Sequence, residues 1–139
     1  MLVKEIMTKH VVTIRPNNTV FESVLLYQEK KVGCLVVVEN DVCVGIITER
    51  DIIERTLCVK KNPETTAVED IMSTDIKTIN ALDTIETALK VMEEYNVKKL
   101  PVFSDDKLVG IITVTDISKA RSDISKRFME SWVKPQWRD

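Results

Sequence analysis

The chain contains one unit written twice, and no other feature restricts its fold as strongly, because a duplicated unit must be satisfied by one architecture used two times. A displacement of 65 residues lays Ile6–Arg55 on Ile71–Ala120 without a gap, and 17 of the 50 aligned pairs are identical. The closest stretches are Ile6-Met7-Thr8 with Ile71-Met72-Ser73, Thr13-Ile14 with Thr78-Ile79, and Val44-Gly45-Ile46-Ile47-Thr48 with Val109-Gly110-Ile111-Ile112-Thr113. Asp51-Ile52 then matches Asp116-Ile117. A copy of about 50 to 60 residues buries too little surface to be comfortable alone, so the two copies are expected to pack together.

Each copy predicts the same order of elements. A short helical turn, Val3–Met7 or Val68–Met72, leads to a brief extended segment ending at Ile14 or Ile79. A helix follows. In the second copy Asp83-Thr84-Ile85-Glu86 reads as a capping box, ahead of a stripe of Ile85, Ala88, Leu89 and Met92 at helical spacing. In the first copy Asn18 is the expected cap, and Val20, Phe21, Val24 and Leu25 are the expected stripe. Two strands, Leu35–Val38 and Val42–Thr48, form a hairpin through Glu39-Asn40-Asp41, whose counterpart is Ser104-Asp105-Asp106. A final helix starts near Glu49 and near Val114. The expected fold class is therefore α/β: two tandem β-α-β-β-α repeats over 1–60 and 68–121, a linker at 61–67, and a C-terminal helical extension at 122–139. In that extension Ile124, Phe128 and Trp132 recur every four residues, an apolar edge that needs cover.

Composition narrows the function classes. Val and Ile number 33 against nine Leu, as buried strands require, and a hydrophobic share of 44% with 30% charged residues is globular. Twenty Lys and Arg against 22 Asp and Glu leave a net charge of −2, which argues against a dedicated nucleic-acid binder. No apolar stretch suits a signal or a membrane span, and Cys34, Cys43 and Cys58 lack metal-ligand spacing, so they read as reduced, mostly buried thiols of a cytoplasmic protein. Neither a metal nor a cofactor is expected.

The chemistry-bearing pattern is Gly45-Ile46-Ile47-Thr48-Glu49-Arg50-Asp51, echoed by Gly110-Ile111-Ile112-Thr113-Val114-Thr115-Asp116. A hydroxyl at a strand end, beside free amides at a helix start, suits a phosphate, and an ionised Asp can accept both hydroxyls of a ribose diol. The alternative is that Thr and Asp simply cap the helix. Lys98 and Lys99 stand where the first copy has Gly33 and Cys34; they either bind an anion or are ordinary solvated charges, and Arg50 poses the same question.

The doubled Ile-Met-Thr/Ser, Thr-Ile and Gly-Ile-Ile-Thr-x-x-Asp pattern resembles a tandem pair of CBS domains, the module named after cystathionine β-synthase, over about residues 1–121. The resemblance implies two repeats packed with pseudo-twofold symmetry around two clefts for adenosine-containing ligands. It implies that Asp51 and Asp116 take ribose and that Thr48 and Thr113 lie at the phosphate. By the same symmetry one cleft would combine Ile46, Thr48 and Asp51 with the backbone near Ile76 and Lys77 and with Lys98 and Lys99. The other would combine Ile111, Thr113 and Asp116 with Val11, Val12, Gly33, Cys34 and Arg50.

No catalytic constellation is expected. His10 is the one histidine and reads as exposed, there is no P-loop pattern, and the symmetry implied by the resemblance places Asp51 and Asp116 in opposite clefts. The expected function is a regulatory sensor of adenine nucleotides (AMP, ADP or ATP) that passes the change to a partner protein, with a homodimer as the expected assembly. A ligand-independent dimerisation scaffold and a sensor of S-adenosyl compounds are the alternatives.

Overall fold

The computed structural model describes residues 1–120 and residue 130. The expected C-terminal helix, with Ile124, Phe128 and Trp132, lies outside the described residues. Element order is α1 (Val3–Ile6), β1 (Thr13–Ile14), α2 (Val20–Lys30), β2 (Cys34–Glu39), β3 (Val42–Thr48) and α3 (Glu49–Ile52), which widens into a π turn over Ile53–Leu57. A 3-10 turn at Val68–Asp70 precedes β4 (Ile79–Asn80), α4 (Ile85–Tyr95), β5 (Lys99–Ser104), β6 (Lys107–Thr113) and α5 (Val114–Ala120). The architecture is mixed α/β with two three-stranded sheets, ordered β1-β2-β3 and β4-β5-β6.

In both sheets the central strand pairs in parallel with the short strand before it, and in the first it runs antiparallel to the hairpin strand after it. Leu35, Val36 and Val37 are all fully buried, which is what an unbroken apolar run means in a strand covered on both faces. The hairpins turn through two residues of positive φ, Asn40 and Asp41 at 52° and 63° and Asp105 and Asp106 at 51° and 64°. Such pairs fit the strand twist, and Asn and Asp tolerate the left-handed region.

The compact units do not coincide with the sequence repeats. Among the described residues one unit comprises His10–Ile76 with Asp106–Leu108, and the other Met1–Lys9, Lys77–Asp105 and the chain from Val109 to Ala120. The lead segment of each copy is thus exchanged. Val68 and Ile71 are buried among Ile14, Val20, Leu35 and Ile47, whereas Val3 is buried among Ile79, Ile85, Leu100 and Ile112. After each lead helix the chain bridges an edge strand antiparallel, Ser73 to Ile46 and Thr8 to Ile111.

Several local expectations are corrected. The helix caps are Thr19 and Thr84, each accepting from the amide three residues on, rather than Asn18 and Asp83. Asn18 and Asp83 instead close the preceding turns by accepting from the amides of Arg15 and Asn80 at 2.9 and 3.1 Å. On α2 the core-facing residues are Val20, Ser23, Val24 and Tyr27, while Phe21 and Leu25 are exposed. Ser23 passes as core because its hydroxyl donates to the Val20 carbonyl at 2.5 Å. The stripe on α4 is as expected, with Ile85, Ala88 and Met92 fully buried and Leu89 packed against them. None of the three cysteines is in a disulfide, and Cys34 and Cys43 are half-buried while Cys58 is exposed, which corrects the expectation of mostly buried thiols.

Candidate functional site

The repeated strand-to-helix junction builds the same small constellation in each unit. At the end of β3 the Thr48 hydroxyl accepts from the Asp51 amide at 3.2 Å, and Asp51 Oδ2 accepts from the Thr48 amide at 3.0 Å. At the end of β6 Thr113 and Asp116 make the same reciprocal pair at 3.1 and 2.9 Å. The three-residue spacing produces this, because a side chain at the cap and one a turn later face each other's backbone. The capping role of the Thr-x-x-Asp pattern is therefore realised in both copies. It uses one oxygen of each carboxylate and leaves acceptor capacity on the other.

A hydroxyl from the exchanged lead segment reaches each carboxylate. The Ser73 hydroxyl lies 3.2 and 3.3 Å from the two oxygens of Asp51, and the Thr8 hydroxyl 3.4 and 3.5 Å from those of Asp116. This explains the duplicated Thr/Ser after Ile-Met, whose role sequence reasoning left unassigned. The same segment explains the duplicated glycines. A Cβ on Gly45 would stand 2.5 Å from Met72 Sδ, and one on Gly110 2.6 Å from Met7 Sδ, so each methionine occupies the room its glycine leaves. Met and Gly recur together in both copies, but nothing in that recurrence says that each glycine meets the methionine of the other copy.

The remaining candidates divide between the units. Ile46, Thr48, Asp51 and Ile76 belong to the first, together with Val11, Val12, Gly33, Cys34 and Arg50; Lys77, Lys98, Lys99, Ile111, Thr113 and Asp116 belong to the second. Cys34 stands opposite Thr48 across the β2–β3 ladder. In the second unit the Lys98 carbonyl accepts from the Val114 amide at 3.0 Å, which puts the start of the lysine pair beside the Thr113 junction. Ile46 and Ile111 each exchange two backbone bonds with the lead segment, and the Val12 carbonyl accepts from Val36 at 3.1 Å. Lys77 holds its ammonium 4.4 Å over the Tyr95 ring. Arg50 is exposed and its guanidinium donates to Glu54 at 2.8 Å, one turn along the same helix. His10 is exposed.

Arg55 is a residue that sequence reasoning missed, since nothing in its spacing marked it. Its guanidinium donates to the carbonyls of Ile71 and Met72, each at 3.2 Å, while its Nε lies 3.9 Å from Asp51 Oδ1. Among the described residues no group of three His, Cys, Asp or Glu could hold a metal ion, and no helix is long and apolar enough to cross a membrane.

Comparison with known proteins identifies the repeated unit. The family model for the CBS domain matches twice, over residues 3–57 and 68–123. The CBS domain-containing protein YhcV of Bacillus subtilis is 34% identical over 116 residues, which cover 84% of this chain and 82% of YhcV. Other curated relatives are longer, the chain spanning 60% of one and 40% of another. A hexameric CBS-CP12 protein from bloom-forming cyanobacteria superposes with a TM-score of 0.78 at 34% identity, covering 91% of this chain and 74% of that one. The CBS domain pair of protein MJ0100, in complex with 5′-methylthioadenosine and S-adenosyl-L-methionine, gives a TM-score of 0.78 at 29% identity, covering 88% and 97%.

Proposed function

This chain belongs to the CBS domain family, and from that premise we propose that it is a regulatory module taking an adenosine-containing ligand, with Asp51 and Asp116 as ribose acceptors. We read the CBS pair as a regulatory module rather than an enzyme, a reading supported by the double family match and by the similarity to a CBS domain-containing protein. The observation that carries the ligand reading is the Thr-x-x-Asp box formed in both units, which holds each carboxylate at a strand-to-helix junction through one oxygen, while the second meets a hydroxyl of the lead segment that a ribose diol can replace. The adenosyl complex of MJ0100 supports the ligand class. Preference for phosphorylated ligands is assigned to Lys98 and Lys99. The proposed location is the cytoplasm, where cysteines outside disulfides stay reduced, and the proposed assembly is a homodimer acting on a partner protein.

The test is calorimetry with AMP, ADP, ATP, S-adenosylmethionine and 5′-methylthioadenosine. Hydrogen bonds to a charged acceptor are worth about 1.5–3 kcal/mol, so replacing both Asp51 and Asp116 by Ala is expected to weaken binding about ten- to a hundredfold. Lys98→Ala with Lys99→Ala is expected to bring AMP and adenosine close to equal affinity. Two readings compete. A ligand-independent scaffold is favoured by the fact that Ser73 and Thr8 already engage both carboxylates, and silence toward every adenosyl compound would establish it. Heat from the S-adenosyl compounds alone would establish a sensor of those compounds.

A further inference from the structure

We propose that Arg55 makes the two repeats unequal, by tying the Asp51 carboxylate to the Ile71–Ser73 segment and withholding it as a diol acceptor, so that an adenosine ribose reaches Asp116 first. The inference rests on the reading of Asp51 and Asp116 as ribose acceptors, and it goes beyond that reading in ranking them.

The two carboxylates have the same box but different surroundings. Asp51 is buried, its side chain only 10% exposed, whereas Asp116 is half-buried. The Ser73 hydroxyl sits at 3.2 and 3.3 Å from Asp51, within good hydrogen-bond range, while Thr8 reaches Asp116 at 3.4 and 3.5 Å, the far edge of that range. Above all, Arg55 stands beside Asp51, and its repeat counterpart is Ala120.

The guanidinium acts through geometry more than through charge. Its side chain is half exposed and 3.9 Å from Oδ1, so the Coulombic attraction is screened and small. One of its nitrogens, Nη1, nevertheless donates to two backbone carbonyls that belong to the same segment as Ser73. One arm thus pins the segment whose hydroxyl occupies the carboxylate. A carboxylate offers about four acceptor directions. At Asp51 the Thr48 amide and the Ser73 hydroxyl take acceptor directions and the Arg55 Nε stands 3.9 Å from Oδ1, and a diol needs two; at Asp116 the partners among the described residues are the Thr113 amide and a weakly placed hydroxyl. Arg55 itself lies in the π turn, closed by the Cys58 amide on the Ile53 carbonyl at 2.8 Å, and such widened turns often mark functional positions.

Two measurements test this, one without ligand. In hydrogen exchange, Arg55→Ala is expected to speed exchange at Ser73 and Ile46, whose amides bond each other's carbonyls, by at least about threefold; unchanged protection there overturns the tie. In calorimetry with adenosine, the wild-type chain is expected to bind one equivalent, with Asp116→Ala weakening it about ten- to a hundredfold and Asp51→Ala less than about threefold. Arg55→Ala is expected to add a second equivalent, lost again in Arg55→Ala with Asp51→Ala, a gain of binding that mere structural damage does not produce. Arg55→Lys, which keeps the charge but has a shorter arm without Nη1, is expected to do the same if the alanine variant folds poorly. Equal losses from Asp51→Ala and Asp116→Ala, or one unaltered equivalent in Arg55→Ala, would overturn the ranking. Adenosine binding indifferent to both aspartates would instead overturn the ribose reading, while hydrogen exchange still decides the tie.

Discussion

At the residue scale, the two glycines of the repeat are present for space rather than for backbone freedom, since neither has a positive φ. The cost of filling that space differs between them. At Gly45 the nearest atoms are on the flexible Met72 side chain, and the nearest backbone oxygen, of Ser73, is 3.1 Å away. At Gly110 the Thr8 carbonyl stands at 2.8 Å from the added Cβ and cannot swing aside. Overpacking of this kind costs about 1–3 kcal/mol. Gly110→Ala is expected toward the upper end and Gly45→Ala toward the lower, measured as the loss of unfolding free energy in urea.

At the scale of elements, α2 starts with a complete capping box, the Thr19 hydroxyl accepting from the Glu22 amide and Glu22 Oε1 accepting from the Thr19 amide at 2.9 Å. The backbone hydrogen bond from Thr19 holds the Glu22 carboxyl below its ordinary value of 4.5. A lowered folded-state value means that the box contributes fully above the unfolded value and is lost as pH falls through the folded one, because the unfolded chain takes up the proton first. Thermal melts through the acid range are therefore expected to fall less steeply for Glu22→Gln than for the wild type. The pair in α4 differs: the Thr84 hydroxyl accepts from the Thr87 amide, so the residue facing the cap carries a hydroxyl where α2 has a carboxylate. The spacing of Asp83 and Glu86 suggested a box one residue too early, since a sequence pattern fixes the helix face but not which of two adjacent polar residues turns back on the amides.

At the scale of the whole molecule, the exchange of lead segments decides how the chain divides. A fragment cut at the sequence repeat, 1–60, lacks Val68 and Ile71, which complete the core around Ile14, Val20 and Leu35. A fragment of residues 10–76 keeps them. The second is expected to unfold cooperatively by circular dichroism and the first to show no transition, and the opposite result would contradict the assignment of the lead segments.

The sequence by itself determined the duplication, the hairpins, the Thr-x-x-Asp junctions and the family, because each of these depends on residues close along the chain or on copies that can be laid over one another. Asn40-Asp41 and Asp105-Asp106 announce their turns locally, and Thr48 meets Asp51 one helical turn away. Only the tertiary structure decided which core Val3 and Val68 enter, why Gly45 faces Met72, and that Arg55 reaches the carbonyls of Ile71 and Met72. Those contacts join residues 16 or more positions apart, and their pairing is set by how a lead segment lies along a sheet edge, a geometry that leaves no periodicity in the chain for a reader of the sequence to find.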